Sequence, residues 1–163
     1  MTGPEHPPRL LVTGGAGFIG SCFVRDVLRR RDGTRITVLD KRTYAGNRAN
    51  LADVEADPET AARFAFIRGD IADPALVRPL VAEADAVVNF AAESHVDRSI
   101  LEPAAFLRTG VDGVYVLLEA VRAESERAGA GERTTPRLVQ VSTDEVYGSI
   151  EEGSSLETDP LAP

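Results

Sequence analysis

The sequence predicts an α/β fold built on a doubly wound parallel sheet. Three features point there. Short, nearly continuous apolar runs recur along the chain, as strands buried on both faces require. Segments with helical apolar spacing alternate with those runs. Polar residues (Asp40, Asp70, Asn89 and Ser142 to Glu145) stand where the runs stop, and ligands of such sheets bind beyond the carboxyl ends of the strands.

Arg9 to Val12 is the first strand, running into a glycine-rich loop. Ile19, Cys22, Phe23, Val27 and Arg30 then follow helical spacing, with Cys22 read as a small packing residue on the apolar face. Arg35 to Leu39 is the second strand, closed by Asp40. Asn47 to Glu55 reads as a short helix ending near Pro58. Phe64 to Ile67 is the third strand. Asp73-Pro74 is an N-cap with a first-turn proline, and Leu76, Val77, Leu80 and Val81 give the helix behind it an apolar stripe. Ala86 to Phe90 is the fourth strand. Val111, Val114, Tyr115, Leu118 and Val121 mark a long helix. Gly129 to Pro136 is a loop, Leu138 to Val141 the fifth strand, and Gly148 to Pro163 a further loop. Right-handed crossovers then favour the nucleotide-binding Rossmann arrangement, cut off after about the fifth strand. The expected organisation is a flexible tail at 1–8 (where His6 is solvated), a nucleotide-binding domain at 9–148 and a loop at 149–163.

A chain of 163 residues suits one domain, able to bury roughly 70% of its unfolded surface. The net charge of −8 argues against nucleic acid or an anionic membrane as main partner. The single cysteine, Cys22, excludes an internal disulfide and fits a reducing compartment. No apolar run approaches membrane-spanning length and no signal peptide is visible, so the cytoplasm is expected. No metal site is expected.

Gly14, Gly17 and Gly20 form a G-x-x-G-x-x-G pattern between a strand and a helix. The turn needs a residue tolerant of positive φ, a pyrophosphate needs close backbone approach, and the helix N-terminus offers N–H groups to the anion. Asp40, twenty positions after Gly20, is placed to accept from the adenosine ribose hydroxyls and to repel a 2′-phosphate. This favours NAD over NADP, although Lys41 and Arg42 follow directly and cations there can meet a phosphate. Asp70 is a candidate acceptor for the adenine amino group. Beyond the fifth strand, Thr143-Asp144-Glu145 places a hydroxyl beside two carboxyls. Two such acids in a partly dry site repel as anions and titrate as a pair, which lets one donate a proton while the other accepts one.

Thr13 to Gly20 resembles the loop of extended short-chain dehydrogenases/reductases. Leu39 to Asn47, Asn89 to Ile100, Leu117 to Ala120 and Ser142 to Gly148 resemble one branch, the dTDP-glucose 4,6-dehydratases. The resemblance implies that Phe18 and Ile19 flank the pyrophosphate, that Asp40, Lys41, Arg42 and Thr43 line the ribose, and that Asp70 and Ile71 hold the adenine. It implies that Phe90, Ala91, Ala92, Glu93 and Ser94 pass the nicotinamide half of NAD, with Thr109 nearby. Ser94 and Thr143 would meet the nucleotide-sugar substrate. In the implied reaction the sugar is oxidised at C4 by hydride transfer to the cofactor. Glu145 then removes the C5 proton while Asp144 protonates the departing C6 hydroxyl, and the hydride returns to C6. Thr143 would stabilise charge on the C4 oxygen. The complete enzyme would be a homodimer. His95 reads as a hydrogen-bonding scaffold, and Asp97 and Arg98 as local pairing or capping residues.

The chain departs from the family at Arg42, usually leucine, and at Gly110, usually asparagine. It also lacks the family's Tyr-x-x-x-Lys pair, since Lys41 is its one lysine and Glu151 stands four residues after Tyr147. Tyr147 therefore reads as a packing or site-wall residue. Leu156 to Pro163 resembles the run just ahead of that pair, so a truncated and inactive piece is expected. Two other readings remain open: another sugar-nucleotide epimerase or decarboxylase of the superfamily, and a non-catalytic NAD-binding module.

Overall fold

The computed structural model describes residues 6–94, 96–129, 135–150 and 152–163. Five parallel strands form one sheet: β1 (Arg9–Thr13), β2 (Arg35–Asp40), β3 (Phe64–Arg68), β4 (Ala86–Asn89) and β5 (Arg137–Gln140), in the order β3-β2-β1-β4-β5. The chain moves outward from β1 to β3, then returns past β1 to lay down β4 and β5. The switch lies between β1 and β4, where such sheets open a crevice. Register aligns Thr13 with Leu39 on one side and Asn89 on the other, and Asn89 with Gln140.

Alternation along the strands divides the core in two. Leu11, Leu39 and Val87 face α4 (Pro74–Glu83) and α7 (Val114–Gly129), joining Val77, Val81 and Leu117. Val12, Ile36 and Val38 face α1 (Phe18–Arg29), joining Val24, Val27 and Leu28, and also Leu51 and Val54 from the 3₁₀ turn Arg48–Leu51 and α2 (Ala52–Ala56). Each such fully buried side chain contributes roughly 1.5–3 kcal/mol. The expected Asp73 cap is present, accepting from the N–H groups of Ala75 and Leu76 at 2.9 and 3.4 Å. The region read as one helix to Glu55 is the 3₁₀ turn, α2 and, starting at Pro58, α3 (Pro58–Ala61).

Two helix faces differ from expectation. In α1 the buried residues are Gly20, Ser21, Val24, Val27 and Leu28, whereas Cys22 is exposed. The cause is Gly20: a Cβ there would overlap the Gly14 carbonyl, so its backbone sits against the loop and sets the rotation of the helix. The second case is the long helix. Here α6 (Pro103–Leu107) runs through a π turn (Arg108–Gly113) into α7. Val111, Tyr115 and Leu118, read as its apolar stripe, are 58%, 62% and 51% exposed, and the buried face is Leu117, Ala120 and Glu124. At the start of this helix the inner face lies close to the core. A Cβ on Gly113 would come within 2.5 Å of the Ile71 side chain.

Residues 1–5 of the expected tail lie outside the described residues. Pro8 is not loose, because its carbonyl accepts the Arg35 N–H at 2.8 Å. After Gly148 the described chain has no helix or strand, and it folds back on the 3₁₀ turn ahead of it. Ala162 N–H donates to the Val146 carbonyl at 2.9 Å.

Candidate functional site

The glycine loop is the foundation. Gly14 adopts φ +68°, and a Cβ there would lie 2.6 Å from the Ala91 main-chain nitrogen. The turn after β1 therefore touches the loop after β4, which only glycine permits. Gly17 is the N-cap of α1, which opens with no side-chain cap and no acid in its first turn. Its first N–H groups and positive dipole end are thus available to an anion. Phe18 and Ile19 are 90% and 62% exposed beside it, an apolar lip that a bound ligand would cover.

Asp40 is 7% exposed at the end of β2. One carboxylate oxygen accepts from the Ala16 N–H at 2.9 Å and the other from the Arg42 N–H at 2.7 Å. Arg42 takes φ +59° to make that bond. Each oxygen keeps a lone pair that can receive a ribose hydroxyl. The loop is also tied to the glycine turn, since Asn47 N–H donates to the Ala16 carbonyl at 3.0 Å, and it closes on itself through Gly46 N–H to the Thr43 carbonyl at 3.3 Å.

Lys41 does not point into solvent as a free cation. Its Nζ lies 3.0 Å from Asp70 Oδ2, as does Nε of Arg108, while Asp70 Oδ1 accepts the Ala72 N–H at 3.0 Å. Burial alone would push the Asp70 carboxyl up. The Ala72 N–H, Lys41 and Arg108 outweigh it and hold the group below the usual carboxylate range. Ile71, expected at the adenine, is 4% exposed with its side chain in the core, which leaves its main chain for a ligand. Thr109 is buried within the π turn, and Gly110 next to it has open space at its Cβ position.

A polar relay joins the two halves of the sheet. Asn89, fully buried, accepts at Oδ1 from the Thr13 hydroxyl and from the Ala91 N–H, and donates from Nδ2 to Gln140 Oε1 at 2.7 Å. It fixes the end of β1 relative to the end of β5, and Val141 N–H extends the pairing to the Asn89 carbonyl at 3.1 Å. Three residues beyond β5, Thr143 caps a 3₁₀ turn, Asp144–Tyr147, by accepting the Glu145 N–H at 3.3 Å. Its hydroxyl donates to Asp144 at 3.3 Å. Thr143, Asp144 and Glu145 are all exposed. The partly dry setting assumed from the sequence is therefore absent among the described residues, because β5 is the edge strand of this sheet. Tyr147 is half-buried, as a wall residue would be.

The structure thus brings together Gly14 with Ala91, Asp40 with the glycine loop, Lys41 with Asp70, and the end of β4 with that of β5. Ser94 and Thr143 share no hydrogen bond among the described residues. Ser94 is instead held by Tyr44. Ala92 is exposed, and Phe90 and Glu93 are half-buried. His95 lies outside the described residues. Asn89 as a relay, Tyr44 and Arg108 escaped the sequence reading. Asn89 left a signal, an amide ending an apolar strand. Arg108, 38 positions from Asp70, left none.

An uncapped helix N-terminus, a loop with no room for a Cβ at Gly14 or Gly20 and a buried carboxylate at the second strand fit a dinucleotide. A family model for GDP-mannose 4,6 dehydratase matches residues 11–163. The dTDP-glucose 4,6-dehydratase of Streptomyces niveus is 54% identical over 159 residues, which is 95% of this chain and 44% of that relative. Among solved structures, DesIV, a dTDP-glucose 4,6-dehydratase from Streptomyces venezuelae with NAD and TYD bound, superposes with a TM-score of 0.78 at 52% identity. It covers 95% of this chain and 45% of that one. The UDP-glucose 4-epimerase of Thermus thermophilus, in complex with NAD, matches with a TM-score of 0.74 at 33% identity, over 95% of this chain and 44% of the epimerase. The chain spans less than half the length of each of these proteins.

Proposed function

Because the chain belongs to the GDP-mannose 4,6 dehydratase family, we propose that it is the cofactor-binding part of an NAD-dependent dTDP-glucose 4,6-dehydratase. The observation that carries this reading is the adjacent acid pair, Asp144 and Glu145, on a turn that the Thr13–Asn89–Gln140 relay ties to the glycine loop. An epimerase needs no such pair, since it eliminates no water.

Bound NAD supplies the acceptor for the C4 hydride and the source of the hydride returned to C6. The C4 hydroxyl proton leaves to a base, the role of the family's Tyr-x-x-x-Lys pair, which these 163 residues do not contain. The residues present serve the other steps. The glycine loop and the α1 N-terminus hold the pyrophosphate, Asp40 holds the ribose, and the backbone around Asp70 and Ile71 meets the adenine. Thr143 donates a hydrogen bond to the C4 oxygen and favours its ketone, which acidifies the C5 proton. Glu145 accepts that proton and Asp144 gives one to the C6 hydroxyl, so that water leaves. Glu145 returns its proton to C5 as the hydride reaches C6. General acid–base steps of this kind contribute typically 10²–10⁴-fold each. Ser94 contributes to the sugar-nucleotide face. A bound sugar nucleotide covering the turn would supply the drier surroundings that let the two carboxyls differ in protonation.

The 163 residues hold no Tyr-x-x-x-Lys pair, so this chain alone is not expected to turn over. A second reading, a non-catalytic NAD-binding module, rests on the glycine loop and Asp40 alone. One experiment separates them. The sequence extended to the length of its relatives is given dTDP-glucose and NAD, and the products are weighed. Loss of one water from the sugar nucleotide supports the dehydratase, and Glu145→Gln should lower kcat by about 10²–10⁴. Inversion at C4 without loss of mass points to an epimerase, and binding of NAD without any reaction to the module.

A further inference from the structure

Asp40 has two cationic neighbours in sequence, and a cation beside the adenosine ribose ordinarily invites a 2′-phosphate. The geometry deals with one of them by a residue on the next strand. Asp40 pairs in register with Arg68, so Lys41 and Asp70 leave neighbouring strand ends side by side. Asp70 Oδ2 takes both Lys41 Nζ and Arg108 Nε at 3.0 Å, and Oδ1 is held by the Ala72 N–H. The Asp70 side chain is 17% exposed, against 46% for Lys41 and 54% for Arg108. The anchor is therefore a constrained carboxylate, and the two cations come to it from the outside.

We propose that Asp70 is a second determinant of cofactor choice: it holds Lys41 and Arg108 away from the ribose, so that neither serves a 2′-phosphate. This rests on the dinucleotide reading above and deepens it. Asp40 repels a phosphate directly, while Asp70 removes two cations, Lys41 and Arg108, that would offset that repulsion. A lysine directly after the ribose carboxylate is then compatible with NAD specificity.

The test is calorimetric titration of the 163-residue chain with NAD and with NADP, at low and high salt. The chain should bind NAD more tightly than NADP. Asp70→Asn should raise NADP affinity relative to NAD by about tenfold, the scale of one uncovered charge pair near a surface, and the gain should fade in high salt. Combining Asp70→Asn with Lys41→Ala should return most of it. Lys41→Ala alone, which leaves Asp70 in place, should shift NAD and NADP affinity by the same factor. Equal weakening of both dinucleotides by Asp70→Asn would mean that Asp70 only shapes the pocket, and would overturn the proposal. A fall in NADP affinity relative to NAD on Lys41→Ala alone would overturn it too, without reliance on any Asp70 variant. If the unaltered chain binds neither dinucleotide, the reading underneath falls first.

Discussion

The phenolic oxygen of Tyr44 serves both main-chain groups of Ser94, donating to its carbonyl and accepting from its N–H at 2.9 Å. Arg98 stacks over the same ring, 3.8 Å from its centroid. Tyr44 follows β2 and Ser94 follows β4, and these strands flank β1 on opposite sides. The link therefore crosses the carboxyl end of β1, where the glycine loop sits. Tyr44→Phe keeps the ring and its cation contact but removes both hydrogen bonds. It should cost about 1 kcal/mol by denaturant titration, and it should speed hydrogen exchange at the Ser94 amide. An unchanged exchange rate would show that the link does not order the loop.

Leu117 and Leu118 are sequence neighbours with opposite fates, fully buried and 51% exposed. Leu117→Ala should cost about 2–5 kcal/mol, whereas Leu118→Ala should stay within about 0.5 kcal/mol. Equal losses in thermal melts would contradict the placement of α7. The exposed seam of Val111, Tyr115 and Leu118 is also where self-association is expected, so Leu118→Glu should lower any concentration-dependent mass seen by light scattering.

Gly14 and Gly110 make a second contrast. Gly14→Ala forces an L side chain to φ +68° against the Ala91 backbone. The expected loss is at least about 2 kcal/mol, together with loss of NAD binding. Nothing lies within 4 Å of a Cβ on Gly110, so Gly110→Ala should be neutral or stabilising by up to about 1 kcal/mol. Chemical denaturation of the two variants decides it.

Asp70 sets a pH dependence. Its folded pKa lies below the unfolded value, which is about 3.9. The stabilisation is therefore complete above that value and disappears as pH falls through the lower folded value. The stability difference between the unaltered chain and Asp70→Asn should be flat from about pH 7 to 5 and shrink below about pH 4. A difference that already shrinks between about pH 7 and 5 would contradict this assignment.

The local part of this protein was legible in its residues. Apolar runs marked all five strands to within a residue of each end, because short apolar runs bounded by turn residues favour the extended chain, although the edge strand β5 proves largely exposed. Asp73-Pro74 marked a helix start and Gly14 a turn, since each depends on chemistry within a few positions. Legibility ended where distant segments meet. The rotation of α1 depends on how closely Gly20 approaches the Gly14 carbonyl, which misplaced Cys22. The inner face of α7 depends on the space beside Ile71, which misplaced Tyr115 and Leu118.

The same division holds at the site. By itself the sequence determined a parallel α/β sheet, a glycine turn before the first helix, a carboxylate at the end of the second strand, and a hydroxyl with two acids after the fifth. Those follow from periodicity and from the conformations that particular residues allow. Only the tertiary structure decided that Asn89 links Thr13 to Gln140, that Lys41 is spoken for by Asp70 with Arg108, and that Asp144 and Glu145 stand in water at the sheet edge. Hydrogen bonds and charge pairs act over a few ångströms of space, and residues as far apart as Thr13 and Asn89, 76 positions, come within that range only once the strands have taken their order.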